Sequence, residues 1–259
     1  MPGAGIRELT VVRREAVTPR MVRVVLGGPG MAGFTSTTPD EHVKLVFPDP
    51  DGTTRPPELA EDGETLVWPR PFPPFREYTI RRFDQAANQV WIDFVVHPGG
   101  LASDWAQRAE PGDTLWAAGP RSGEAVPAES GVHVLLADHT ALPALARWLE
   151  EVADGVHVDV AVVVPDAGEE QPLATREGVT VTWYHGDASD GSADDLLGGH
   201  LERLDLPTDE SAYLWAAGEA GMLKPVRRWA RAHGFARGTC DIAGYWRRER
   251  TSSVTTTRR

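Results

Sequence analysis

The stretch Phe75-Arg76-Glu77-Tyr78-Thr79-Ile80-Arg81-Arg82-Phe83 reads as a strand of mixed chemistry. Side chains alternate between the faces of a strand, so Arg76, Tyr78 and Ile80 fall on one side and Glu77, Thr79 and Arg81 on the other. A guanidinium, an aromatic ring and a small hydroxyl therefore lie within a few residues. A flat, phosphorylated ligand calls for those three groups: a fork for phosphate, a surface to stack on and a hydrogen bond at the rim. An exposed amphipathic strand with solvated arginines would have the same sequence, so the flanking segments have to decide.

Working outward, Leu9–Arg14, Met21–Leu26 and Glu41–Pro48 precede this strand as further β-rich runs, and Val90–Val96 and Thr114–Ala118 follow it. Residues 49–74 are rich in Pro, Gly and acids and read as a surface loop. Six short strands without a long helix predict an antiparallel barrel over residues 1–122. One helical segment interrupts it at His97-Pro98-Gly99-Gly100-Leu101-Ala102-Ser103-Asp104-Trp105. Its glycines let backbone approach a ligand, and a helix N-terminus offers unpaired N–H groups to phosphate. Ser103 either adds a hydroxyl to the same oxygens or caps an ordinary helix.

After Gly119-Pro120 the period changes. Val132–Ala137, Val158–Val164 and Val179–Tyr184 read as buried strands and Ala212–Ala217 as a further strand, while 141–152, 193–204 and 222–233 read as helices. Alternating strands and helices predict a parallel sheet with helices on its faces over residues 130–250, and 251–259 reads as a disordered tail. Ligands of such sheets bind beyond the carboxyl ends of strands, here Ala137–Pro143 and Ala216–Gly221. Neither end has the Gly-x-Gly-x-x-Gly pattern, and Gly218 and Gly221 serve helix packing equally well. In Gly244-Tyr245-Trp246-Arg247-Arg248, an aromatic pair beside two arginines suits either a cofactor ring and an anion or a terminal packing anchor.

Composition narrows the classes. Thirty-eight acidic against 26 basic residues give a net charge of -12, which opposes general nucleic-acid binding. No apolar run approaches the roughly 20 residues that span a bilayer, and no leader is recognised, so a cytoplasmic monomer that does not bind membranes is expected. The single cysteine, Cys240, excludes an internal disulfide and a cysteine-clustered metal site, and the eight histidines form no obvious ligand cluster.

Four motifs in order, Arg76-x-Tyr78-Thr79-x-Arg81, Asp93-Phe94-Val95-Val96-His97 with Gly100-x-Ala102-Ser103-x-Trp105-Ala106, Thr140-Ala141-Leu142-Pro143-Ala144, and Gly244-Tyr245-Trp246-Arg247-Arg248, resemble the siderophore-interacting proteins. These are flavin-dependent ferric-siderophore reductases related to ferredoxin reductases. The resemblance implies an FAD-binding barrel followed by a Rossmann-like domain. It also implies that Arg76 binds the FAD phosphates, that Tyr78 stacks on the isoalloxazine and that Thr79 lies near the flavin's reactive nitrogen. Asp93, Val95, His97, Gly100, Ala102 and Ser103 would join the cofactor set, with Thr140 and Trp246 approaching from the second domain. No side chain beyond the flavin is implied as catalytic, and no protein metal ligand is needed.

The implied donor is NADH, NADPH or reduced ferredoxin, met near Lys224, Arg227 and Arg228 if those residues are more than a solvated helix face. A ferric siderophore is often anionic, which makes Lys44, Arg121, Arg247 and Arg248 the substrate-binding candidates. Leu101 and Glu249 depart from the family pattern, and the His97 loop is short by a residue. A flavin oxidoreductase with another acceptor and a non-catalytic siderophore binder are the alternatives; Arg81 has no assigned role.

Overall fold

The computed structural model describes residues 5–248 except 64, 122, 124, 128–129 and 207–210. The expected tail at 251–259 lies outside the described residues, as do Glu249 and Arg250.

The first half is built from β1 (Ile6–Thr18), β2 (Met21–Gly27), β3 (His42–Val46), a small hairpin of β4 (Glu58–Leu59) and β5 (Leu66–Val67), then β6 (Phe75–Thr79), β7 (Arg82–Asp84), β8 (Gln89–Val95), α1 (Leu101–Arg108) and β9 (Thr114–Arg121). Seven of these strands form one antiparallel sheet in the order β6-β3-β9-β1-β2-β8-β7. The count exceeds the expected six because the strand at 75–83 is divided. Phe75–Thr79 pairs with β3, whereas Arg82–Asp84 pairs with β8. Ile80 N–H reaches the Glu41 carbonyl at 2.8 Å and Arg81 N–H the Trp91 carbonyl at 2.9 Å, so the crossover closes the sheet on itself. Leu9, Val24, Leu26, Val43, Leu45, Ile80, Ile92, Phe94 and Leu115 fill the interior, as alternating apolar positions require.

The second half comprises β10 (Val132–Asp138), α2 (Leu142–Glu151), β11 (His157–Val164), β12 (Val179–His185), α3 (Leu196–Leu201), β13 (Ala212–Glu219), α4 (Leu223–Ala232) and β14 (Cys240–Trp246). They give a five-stranded parallel sheet in the order β12-β11-β10-β13-β14. The central strands are apolar on both faces, covered by α2 on one side and by α3 and α4 on the other. Three expectations are corrected. Val179–Tyr184 is half-buried, since β12 is an edge strand. The helix expected over 193–204 contracts to Leu196–Leu201, where Gly198 packs so tightly on α4 that an added Cβ would lie 2.7 Å from Pro225 Cβ. Cys240–Trp246, read only as a terminal segment, is the fifth strand; Asp241 and Gly244 break its apolar pattern.

The two sheets are joined by specific contacts. Buried Arg147 of α2 donates to the Ile80 carbonyl and to Ser36 Oγ, both at 2.9 Å. Arg81 pairs with Glu150 at 2.7 Å, which supplies the missing role for that arginine. At the other side of the junction, buried Glu169 accepts from Thr18 Oγ1 and, at 2.9 Å, from Arg20 N–H. Met21 belongs to the apolar core of the second sheet, with Val17 and Val95 packed against it. No helix among the described residues is long and apolar enough to cross a membrane, and no group of three or more His, Cys, Asp or Glu among them could hold a metal ion.

Candidate functional site

Tyr78 is half-buried, with its ring centroid 4.3 Å from Phe94, which in turn stands 5.8 Å from Trp105 of α1. The row fixes the end of β6 against the helix, and desolvation raises the Tyr78 phenol above its ordinary value. Arg76 is exposed and donates to the carbonyl of its own neighbour Phe75 at 2.8 Å; no carboxylate among the described residues pairs with it. Thr79 is buried, and its side chain approaches the hydroxyl of Tyr245 closely enough to pull that phenol's pKa downward, so strand β14 of the second sheet reaches this point of the first. Desolvation of its hydroxyl outweighs that pull and raises the Tyr245 phenol as well, although part of the side chain stays exposed.

The approach to α1 is shaped by glycine and by Ser103. Gly99 has φ +71°, and a Cβ there would meet nothing within 4 Å. Gly100 caps the helix without a side-chain acceptor and lies under the His97 ring, where a Cβ would sit 2.2 Å from Cε1. Ser103 does not point a free hydroxyl outward. Its Oγ accepts from His97 N–H at 3.0 Å and donates to His97 O at 2.9 Å, in a nearly sealed position, so it folds the loop instead of capping the helix. Ala102 packs into the barrel core. The open donors here are main-chain N–H groups of the first turn.

Asp93 is also committed elsewhere. It is buried and makes a bidentate pair with Arg23 at 2.6 and 2.8 Å, joining β2 to β8. Val95 turns to the second core.

The second sheet contributes a wall organised by a residue the sequence reading passed over. Asp138, buried at the carboxyl end of β10, accepts from Thr140 N–H (2.8 Å), Thr140 Oγ1 (2.6 Å), Ala141 N–H (3.3 Å), Glu219 N–H (2.8 Å) and Trp246 Nε1 (2.8 Å). Desolvation pushes its carboxyl upward against those donors. Gly218, with φ +146°, makes the arrangement possible: a Cβ would lie 2.6 Å from Asp138 Cγ. An acid ending an otherwise apolar strand, two residues before a threonine, was the available signal.

The cations divide. Lys44 pairs with Glu77 at 3.3 Å and lies over Phe75 and Trp68, while Arg121 and Arg247 are exposed. Arg248 is not free for an anion, because it holds Asp194 at 2.7 Å and the Ala188 carbonyl at 3.2 Å. Arg227 is turned to the Ile242 carbonyl at 3.2 Å; Arg228 lines a cavity of about 410 Å³ between α3 and α4; Lys224 is exposed. Burial and Asp241 raise the Cys240 thiol, which disfavours a nucleophile.

Residues 10–124 match the siderophore-interacting FAD-binding domain and residues 131–249 the siderophore-interacting protein domain. The NADPH-dependent ferric-chelate reductase of Escherichia coli is 37% identical over 93% of this chain and 92% of its own. The chain belongs to the siderophore-interacting protein family. Within that family, a siderophore utilization protein from T. fusca superposes with a TM-score of 0.88 at 42% identity, covering 96% of this chain and 94% of that one. The ferric vibriobactin reductase of Vibrio cholerae is 29% identical over 93% of this chain and 89% of its own.

This siderophore-interacting protein has residues that fit FAD. Arg76 has no acidic partner among the described residues, Tyr78 keeps part of its ring open, and the α1 N-terminus has no side-chain cap beside clear space at Gly99. Cation, aromatic surface and main-chain donors are the groups for phosphate and a flat ring system.

Proposed function

We propose that the protein is a cytoplasmic FAD-dependent ferric-siderophore reductase of iron homeostasis, working as a monomer, with an FAD domain over 1–122 and an electron-donor domain over 130–250. The observation that carries this reading is the junction at the end of β6: Arg147 of α2 donates to the Ile80 carbonyl at 2.9 Å and the Tyr245 hydroxyl approaches Thr79, which brings the Arg76–Thr79 strand to the wall of Thr140 and Trp246 held by Asp138. Arg76 and the N–H groups after Gly100 hold the phosphates, His97 screens that loop, and Tyr78 supports the flat ring. Thr79 places a hydroxyl at the ring's reactive edge, and Trp246 limits water there. Ser103 and Asp93 act through the loop and barrel that they brace.

When bound, FAD supplies the electrons that convert Fe(III) to Fe(II). Oxygen ligands hold the harder Fe(III) better than Fe(II), so reduction releases the metal. Lys44, Arg121 and Arg247 draw the anionic complex toward the flavin edge. NADPH is the favoured donor on the name of the E. coli relative, ahead of NADH and reduced ferredoxin.

The test is anaerobic. The yellow protein is reduced separately with NADPH, NADH and reduced ferredoxin, and ferric siderophores are then added while flavin absorbance is followed. Reoxidation with Fe(II) release is expected; its absence with every ferric complex rejects the reading. In the same protein Arg76→Ala should weaken FAD binding at least about tenfold, the value of a charge-assisted phosphate contact, without unfolding the barrel.

A further inference from the structure

The outer face of the β3–β6 ladder extends beyond Thr79. Directly opposed residues share a side, and the pairs His42–Thr79, Lys44–Glu77 and Val46–Phe75 therefore place Thr79, Lys44, Glu77 and Phe75 on one face. Phe75 lies four residues from Thr79, about 13 Å at ~3.3 Å per residue. There the loop before β6 builds an aromatic cluster, with centroids 5.1 Å apart for Trp68 and Phe75, 6.3 Å for Trp68 and Phe72, and 6.5 Å for Phe72 and Phe75.

The cluster has its own scaffold. Phe47 N–H donates to the Pro74 carbonyl at 2.9 Å, and Arg55, held by Asp49 at 2.6 Å, donates to the Pro71 carbonyl at 2.9 Å. Yet the rings are not sealed. Of the five large apolar side chains exposed among the described residues, Leu59, Val67 and Phe72 lie on this segment, and a fourth, Tyr245, meets Thr79. Cations stack on it as well: Lys44 Nζ is 4.7 Å from the Phe75 centroid and 5.7 Å from that of Trp68, and Arg70 Cζ is 3.7 Å from that of Phe72. Glu77, half-exposed, is the carboxylate paired with Lys44.

We propose that Trp68, Phe72 and Phe75, with Lys44 and Arg70, form an aryl subsite that selects catecholate-type metal complexes over hydroxamate-type ones. The choice of a siderophore as ligand rests on the reductase reading above. Catecholate ligands are dianionic arenes, so their ferric complex is negatively charged and edged with flat rings; these suit the exposed Phe72 and the half-buried Trp68 and Phe75, overlaid by Lys44 and Arg70. Hydroxamates are monoanions that neutralise Fe(III) and present no ring. Glu77 opposes the anion, and its half-exposed side chain swings aside from Lys44 when the complex arrives.

Gallium(III) takes the same oxygen ligands and is not reduced, which separates binding from electron transfer. Calorimetric titration of the FAD-loaded protein with Ga(III) tris-catecholate and Ga(III) tris-hydroxamate gives an affinity ratio for wild type, Trp68→Ala and Phe72→Ala. That ratio should fall about tenfold in each variant, roughly the upper value of one aromatic pair, with the flavin spectrum as the folding control. Phe72→Leu keeps apolar bulk without the arene and should lower it too, whereas Glu77→Gln should raise it. An unchanged ratio in both alanine variants, or no catecholate binding by wild type, overturns the subsite. Reoxidation by the Fe(III) forms of both complexes is scored separately: failure there with the gallium pattern intact rejects the reductase reading and leaves the subsite standing.

Discussion

Trp246 donates its indole N–H to Asp138 across 2.8 Å, tying the last strand of the parallel sheet to the carboxyl end of its first. Asp138→Ala would leave the donors of Thr140, Glu219 and Trp246 buried without an acceptor, and a loss of about 3 kcal/mol or more is expected. Trp246→Phe removes one donor and keeps a ring, at about 1 kcal/mol. Urea denaturation checks both, and equal losses would contradict Asp138 as the shared anchor.

Asp93 separates a bracing role from a cofactor role. Breaking its buried pair with Arg23 by Asp93→Ala should cost about 3 kcal/mol or more of stability, while FAD affinity of the folded fraction stays within about twofold. Weak FAD binding with stability retained would show that Asp93 contacts the cofactor directly.

The two contacts from α2 to the first sheet should differ in weight. Arg147→Met deletes a buried cation that serves Ile80, Ser36 and Glu151, and should cost about 3 kcal/mol. Arg81→Ala breaks a pair whose acid, Glu150, is half-exposed, so about 1 kcal/mol or less is expected. Calorimetric unfolding of the two variants tests the ranking, which a larger effect at Arg81 would reverse.

His133 predicts a pH dependence. Its Nδ1 accepts the Trp148 indole N–H at 3.2 Å, and desolvation lowers the pKa of the buried ring. Below about pH 6.5 the unfolded chain takes up a proton that the folded ring refuses, so stability falls as pH drops toward the lowered folded value and is unaffected above that window. His133→Asn should reduce the loss between wild type at pH 7 and at pH 5. Buried His139, lowered by desolvation against the pull of Glu169, contributes in the same direction. Identical pH profiles for wild type and variant would refute the assignment.

Strand positions were legible where apolar runs or alternation were strong, as in Val158–Val164 and Met21–Leu26. Cys240–Trp246 was not, because an edge strand with Gly244 and Asp241 has no period to read. The phosphate-suited elements around Arg76 and Gly100 were visible as local chemistry. Ser103, Asp93 and Arg248 each have a protein partner that the sequence does not show: a polar side chain near a motif looks free until His97, Arg23 or Asp194 is brought to it by the fold. Asp138 went unnoticed for the converse reason, since a lone acid after an apolar strand shows nothing of the five donors that converge on it.

The division of the strand at Ile80–Arg81 makes one short stretch of backbone the zipper of the barrel and, through Arg147 and Arg81, its hinge pin to the neighbouring sheet. The two sheets cannot rock apart at that point without tugging the zipper. Amide exchange along residues 75–84 should therefore act as a strain gauge, slowing or quickening together with any donor or acceptor that changes how the halves sit against each other.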